Sequence, residues 1–137
     1  MIRILVVQDE NPIAMEMSWI VEDAGYSIVG PEASVETTRQ VLARHKVDLA
    51  LLDVKLGGET VFPVSEMLDS LGVPFIFVTS HPASSLPARY QGRPFVTKPY
   101  RPAALLALIR QILSERAQKA GACGEMTDAS RTRDMGT

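Results

Sequence analysis

Four short, largely apolar runs in this sequence end on residues able to bind charge or carry it. Ile4-Leu-Val-Val7 runs into Gln8-Asp9-Glu10, and Val47-Asp-Leu-Ala-Leu-Leu closes on Asp53. Val73-Pro-Phe-Ile-Phe-Val78 leads to Thr79-Ser80, and Pro94-Phe-Val-Thr97 to Lys98-Pro99. If these runs are neighbouring strands, their ends lie about 4.8 Å apart, so Asp9 and Asp53 come within reach of one cation. Two carboxylates that close repel unless something compensates. Mg²⁺, a hard ion that takes oxygen ligands and keeps waters, suits them. A Thr79 hydroxyl and a Lys98 ammonium would flank Asp53 on its other side. Phosphoryl transfer requires these parts: an attacking carboxylate, and charge to steady three phosphoryl oxygens.

The elements that must bring these ends together follow from periodicity. Asn11 offers a capping side chain, and Pro12 suits a first helical turn. Ile13, Met17, Ile20, Val21 and Ala24 then recur on one helical face until Gly25 stops it. Ser27–Gly30 predicts a second strand, and Ser34 caps a helix presenting Val35, Thr38, Leu42 and His45. After Gly57-Gly58 a third helix is expected from about Thr60 to Leu71, with Pro63 in its first turn and Val64, Leu68 and Leu71 inward. A last helix starts near Pro102 and presents Leu105, Leu106, Ile109, Ile112 and Leu113. Met15, Met17 and Met67 are expected in or near the core. Strands that are apolar throughout want both faces covered, which predicts a parallel sheet between helix layers joined by right-handed crossovers. The expected fold is α/β and flavodoxin-like: a doubly wound, five-stranded parallel (βα)5 sheet of order 2-1-3-4-5. Its site would lie at the carboxyl ends of strands 1 and 3.

A chain of 137 residues fits one domain. That domain is expected over 1–117, with a disordered tail over 118–137, where Gly121, Gly124 and Gly136 interrupt small polar residues. The formal net charge of −2 gives no electrostatic reason for nucleic acid or an anionic membrane as partner. No apolar run approaches the roughly 18 to 20 residues of a membrane span. The apolar start meets acid at Asp9 and Glu10, unlike an export signal. The single cysteine, Cys123, excludes an internal disulfide and fits a reducing cytoplasm. Only His45 and His81 stand beside it, too few for a structural zinc site.

These pieces resemble the receiver domains of bacterial two-component response regulators over roughly residues 2–116. The matching segments are Ile4-Leu-Val-Val-Gln-Asp-Glu10, Leu51-Leu-Asp-Val54, Val78-Thr-Ser80 and Phe95-Val-Thr-Lys-Pro99. Each is weak alone; four in order at strand ends are specific. Val54-Lys-Leu-Gly-Gly-Glu-Thr60 and Pro74-Phe-Ile-Phe-Val-Thr79 also resemble the single-domain FATGUY subgroup, typical of alphaproteobacteria. The resemblance implies a phosphoacceptor, Asp53, served by a sensor histidine kinase of the HWE or HisKA_2 type or by a histidine phosphotransfer protein. It implies Mg²⁺ on Asp9, Asp53 and the Lys55 main-chain carbonyl, Thr79 and Lys98 on the phosphoryl oxygens, and Phe95 as the aromatic that changes rotamer on activation. It also implies no independent substrate turnover, and output through a protein partner, since too few residues follow Arg116 for a helix-turn-helix domain.

Two departures stand out. Gln8 occupies the position of the first acid of the usual pair; its amide oxygen could still reach the metal through a water, with a weaker site as the cost. Ser80-His81-Pro82 replaces the subgroup's usual glycine-aromatic. His81 is either a tuner of phosphoaspartate lifetime or a plain loop residue. Lys55 is either part of the site or a surface partner of Glu59, and Phe95 either a switch or core packing. Tyr90 and Tyr100 are candidates for a partner surface. The segment from Ser80 to Gly92 holds Pro82, Pro87, Ser84 and Ser85. It is expected to form at most a short helix, anchored almost solely by Leu86.

Rival classes fit less well. A haloacid-dehalogenase-like phosphatase needs an acid two residues after its nucleophile, where this chain has Lys55. A flavodoxin-type cofactor binder needs a Ser, Thr and Gly-rich phosphate loop after strand 1, and Gln8-Asp9-Glu10-Asn11-Pro12 is acidic. The remaining alternative is a degenerate receiver that binds proteins without phosphorylation.

Overall fold

The computed structural model describes residues 2–80 and 86–124, with side chains up to residue 116. The chain divides into two compact units, one ending at Leu106 and one beginning at Ala107. Within the first unit the described residues build a five-stranded sheet of order β2-β1-β3-β6-β7. Its strands are β1 (Arg3–Val7), β2 (Ser27–Glu32), β3 (Leu49–Asp53), β6 (Phe75–Thr79) and β7 (Phe95–Thr97), every neighbouring pair parallel. In chain order this is the expected 2-1-3-4-5 arrangement. A two-residue antiparallel ribbon, β4 (Lys55–Leu56) and β5 (Glu59–Thr60), interrupts the count after β3. The helices are α1 (Asn11–Asp23), α2 (Val35–Arg44), α3 (Phe62–Leu71) and α4 (Pro102–Gly124).

Alternation of side chains along each strand sorts the core into two faces. Leu5, Val7, Ala50, Leu52, Phe75 and Phe77 join one cluster with Val35, Leu42, Val64 and Leu68 of α2 and α3. Ile4, Val6, Leu49, Leu51, Ile76 and Val78 are equally inaccessible, and α1, which lies against β1 and β2, buries Ala14, Met17 and Val21. Each such Val, Leu, Ile, Phe or Met side chain contributes about 1.5–3 kcal/mol relative to exposure. The edge strand β2 is only half-buried, so the two-sided burial read from the sequence holds for β1, β3 and β6. Within β2 Gly30 has φ +94°, and a Cβ there would stand 2.9 Å from Glu32 N and 3.0 Å from Val6 O. This is the irregular step in the β1–β2 register.

Several local expectations are corrected. Asn11 does not cap α1: it is already helical, Glu10 holds the cap position, and the Gln8 Oε1 accepts from Glu10 N at 3.1 Å. Ser34 does cap α2, accepting from Thr37 N at 3.2 Å. His45 lies past the end of α2 and is exposed. The third helix begins at Phe62 rather than Thr60, because Thr60 pairs with Lys55 in the ribbon. Leu71 and Met15 face solvent, 52% and 50% exposed; helical spacing places residues on a face but does not fix how wide the covered stripe is. Ala24 is also exposed. The last helix continues past Arg116 to Gly124, so residues 118–124 of the expected tail are helical, and 125–137 lie outside the described residues.

The segment before β7 holds a single 3-10 turn, Ala88–Tyr90, among its described residues; 81–85 lie outside them. Leu86 is buried as expected, yet it is not the main anchor. Tyr90 is 2% exposed. Its ring stacks on Phe62 at 5.4 Å and meets Phe77 edge-on at 5.4 Å and Phe75 at 6.2 Å. Arg89 reaches Glu66 at 2.7 Å, and Arg93 grips both oxygens of Asp69 at 2.9 Å while lying over the Phe75 ring. The described part of that segment, from residue 86 on, is tied to α3 and β6 rather than weakly anchored.

Candidate functional site

Register alone assembles the polar edge. Val7 pairs with Leu52, Asp53 with Val78 and Thr79 with Thr97, so the residues closing β1, β3, β6 and β7 meet at one end of the sheet. There Asp9, Glu10, Asp53, Val54, Lys55, Gly57, Thr79, Ser80 and Lys98 line a cleft of about 250 Å³. Asp9, Asp53, Thr79 and Lys98 are thus gathered as their spacing predicted, and Lys55 joins them. Gln8, His81 and Phe95 stand differently.

Asp53 is only 9% exposed, and a buried carboxylate requires a partner. It has one in Lys98, whose Nζ lies 3.3 Å from Oδ2. The Lys98-Pro99 bond that follows is cis. Thr79 ends β6 with its side chain nearly inaccessible, and Lys98 N donates to Thr79 O at 2.8 Å, fixing the two strand ends to each other. Asp9 is held by the main chain, its Oδ2 accepting from Gly57 N at 2.7 Å. Each carboxylate therefore has its own donor, one a side-chain cation and the other a peptide N–H.

Gln8 is 2% exposed and is not among the cleft residues. Its oxygen is engaged by Glu10 N, and its Nε2 is buried without a hydrogen-bond partner among the described residues. Phe95 is 39% exposed, which excludes the core-packing reading. The surface alternative for Lys55 also fails for its named partner, because the Glu59 carboxylate turns to Val35 N at 3.5 Å. His81 lies outside the described residues. Sequence reasoning placed Glu10 at this edge but missed Gly57 as a cleft residue. Gly57-Gly58 was visible as a turn signal, but a main-chain donor carries no side-chain signature. Past Lys98, the Tyr100 hydroxyl is buried without a partner among the described residues, and burial, then the Glu16 carboxylate, push its pKa up to about 12.

The donor set suits a hard cation. Among the described residues no three His, Cys, Asp or Glu side chains gather closely enough to hold an ion by themselves. Two carboxylates completed by a main-chain carbonyl and waters are what Mg²⁺ accepts and what a soft or nitrogen-seeking metal does not.

The family model of the response regulator receiver domain matches residues 4–110. The chain belongs to that family. It is a receiver domain of two-component signalling, and receivers take their signal from histidine kinases or phosphotransfer proteins. Among curated relatives, the phyllosphere-induced regulator PhyR of Methylorubrum extorquens is 31% identical over 115 residues, covering 81% of this chain and 43% of that protein. The chain spans half or less of the length of the first such relatives. Among solved structures, SdrG from Sphingomonas melonis Fr1 matches with TM-score 0.73 and 32% identity over 82% of this chain and 97% of that one. SdrG has also been solved in a BeF₃-activated conformation, with TM-score 0.71 and coverage of 81% and 95%. A CheY-like receiver from Methanospirillum hungatei JF-1 gives TM-score 0.78 at 27% identity, covering 87% and 98%. Likeness to PhyR and SdrG agrees with the resemblance to the single-domain subgroup. No helix among the described residues is long and apolar enough to cross a membrane.

Proposed function

We propose that this receiver accepts a phosphoryl group on Asp53 from a phosphohistidine donor and signals through protein contacts in the cytoplasm. The observation that carries the reading is the cleft itself: a nearly buried nucleophilic carboxylate, 3.3 Å from an ammonium, shares one small opening with Asp9 and Thr79. An Asp53 oxygen attacks phosphorus, the P–N bond breaks, and the histidine leaves with its electron pair. Lys98 steadies the charge gathered on the phosphoryl oxygens, and the Thr79 hydroxyl donates a hydrogen bond to one of them. Mg²⁺, when bound by Asp9, Asp53 and the Lys55 carbonyl, supplies positive charge that offsets carboxylate and phosphoryl repulsion. Gln8 acts on this site by holding Glu10 in place. An exposed Phe95 leaves the ring free to change rotamer when Thr79 engages the phosphoryl group. The subgroup likeness supports a donor kinase of the HWE or HisKA_2 type.

Incubation with phosphorylated kinases or phosphotransfer proteins should place acid-labile phosphate on the wild type and none on Asp53→Asn. Labelling of that variant would overturn the assignment.

The second reading, a phosphate-independent binding module, is favoured by one feature: the residue replacing the first acid is buried and committed to Glu10 N. Titration with Mg²⁺ and beryllium fluoride separates the two. Saturable binding supports phosphorylation, and none at millimolar Mg²⁺ supports the module.

A further inference from the structure

Asp9 stands at the open end of β1, and its carboxylate is oriented by an atom 48 residues away in sequence. Gly57 N donates to Asp9 Oδ2 at 2.7 Å, a short bond for an N–H donor and in the charge-assisted range. The donor sits in the two-residue turn between β4 and β5, where Lys55 pairs with Thr60 and Leu56 with Glu59. Gly57 has φ +59°, and a positive φ at the first turn position is what tight hairpins need for their twist. The ribbon is not a loose loop. Leu56 and Val61 are core residues, Val61 N donates to Val54 O at 2.9 Å, and the Glu59 carboxylate accepts from Val35 N at 3.5 Å. The core thus holds the ribbon, the ribbon aims the Gly57 N–H, and the N–H fixes the Asp9 carboxylate.

We propose that Gly57 is a positioning residue for the cation site: its main-chain N–H holds Asp9 in the orientation that takes Mg²⁺, in a cleft where the residue at position 8 carries no charge. The proposal rests on the Mg²⁺ reading above. A free aspartate must lose rotamer freedom on binding; one already tethered to a rigid turn has lost it. Residues that orient metal ligands from outside the ligand set typically change affinity about ten- to a hundred-fold when removed. Because the donor is a peptide group, the turn conformation matters rather than any side chain. A Cβ at Gly57 would come no nearer than 3.9 Å to Asp9 Oδ2, so side-chain bulk is not what excludes other residues there; backbone conformation is.

The test replaces the Gly57 N–H with an ester oxygen by installing glycolic acid at position 57 in the full chain, with the same change at Gly58 as control. Mg²⁺ affinity by calorimetry should fall roughly ten-fold for the first and stay within about two-fold of wild type for the second. Independently, the Gly57 amide should resist hydrogen exchange in the metal-free wild type, lose that protection in Asp9→Ala, and keep it when Mg²⁺ is added. Equal Mg²⁺ affinity for the two esters, or loss of Gly57 protection on adding Mg²⁺, overturns the proposal; the latter would make the N–H a competitor. A wild type that binds no Mg²⁺ overturns both this proposal and the reading beneath it. A wild type that binds while the Gly57 ester binds equally overturns this one alone.

Discussion

Two regions that both adjoin β6 are held by opposite means. The cleft is polar, its carboxylates are satisfied one by one through Lys98 and Gly57 N, and little apolar area depends on them. The segment 86–93 has almost no regular structure, yet it is fastened by a ring of Phe62, Phe75 and Phe77 around Tyr90 and by two arginines bound to α3. The residues of the proposed site are held by polar contacts, whereas segment 86–93, which lines no part of the cleft, is held by aromatic packing and ion pairs.

The sharpest way to break that contrast is a pair of variants. Tyr90→Ala empties a packed aromatic site and should lower unfolding free energy by about 3–5 kcal/mol, read from urea midpoints, while Asp53 remains chemically competent in the folded fraction. Asp53→Asn should abolish phosphate uptake yet cost less stability than Tyr90→Ala, because the amide keeps the side chain's shape and relieves repulsion with Asp9 while giving up the Lys98 pair. Similar stability losses for both would erase the distinction. A smaller effect separates packing from charge within the loop itself. Arg93→Gln removes a half-exposed contact in which one guanidinium nitrogen serves both Asp69 oxygens and should cost about 0.5–1 kcal/mol, less at high salt. A loss rivalling that of Tyr90→Ala would mean the arginine, not the aromatic ring, anchors the segment.

The smallest effect concerns Tyr100, two residues past Lys98. Its pKa is raised to about 12, first by burial and then by Glu16, so the folded state favours the neutral hydroxyl. Between the ordinary value near 10 and that figure the unfolded chain ionises first, and its contribution to stability, intact below pH 10, is lost as pH rises towards 12. Melts between pH 9 and 11.5 should therefore fall more steeply for wild type than for Tyr100→Phe. Parallel curves would place the hydroxyl in a wetter setting.

The sequence by itself determined which residues end the strands. Apolar runs too short for helices, each followed by Asp9, Asp53, Thr79 or Lys98, announce a parallel sheet and its polar edge, because strand burial and strand termination are written in residue type. Caps with a local partner, such as Ser34, were legible for the same reason. What escaped it depended on contacts and layers that only the fold supplies. Tyr90 sits in a stretch broken by Pro87 and Gly92 and shows no period, so nothing local predicts that it fills a space between Phe62 and Phe77. Leu71 and Met15 match a helical face, but only the width of the neighbouring layer decides that they stay wet. Gln8 reads as a water-mediated metal ligand, and that its oxygen accepts from Glu10 N is visible only in the fold. Gly57 reads as a turn until Asp9 is brought to it. Short-range periodicity records what each segment can bury. Which donor meets which acceptor across 48 residues is settled only when the sheet closes and fixes their separation.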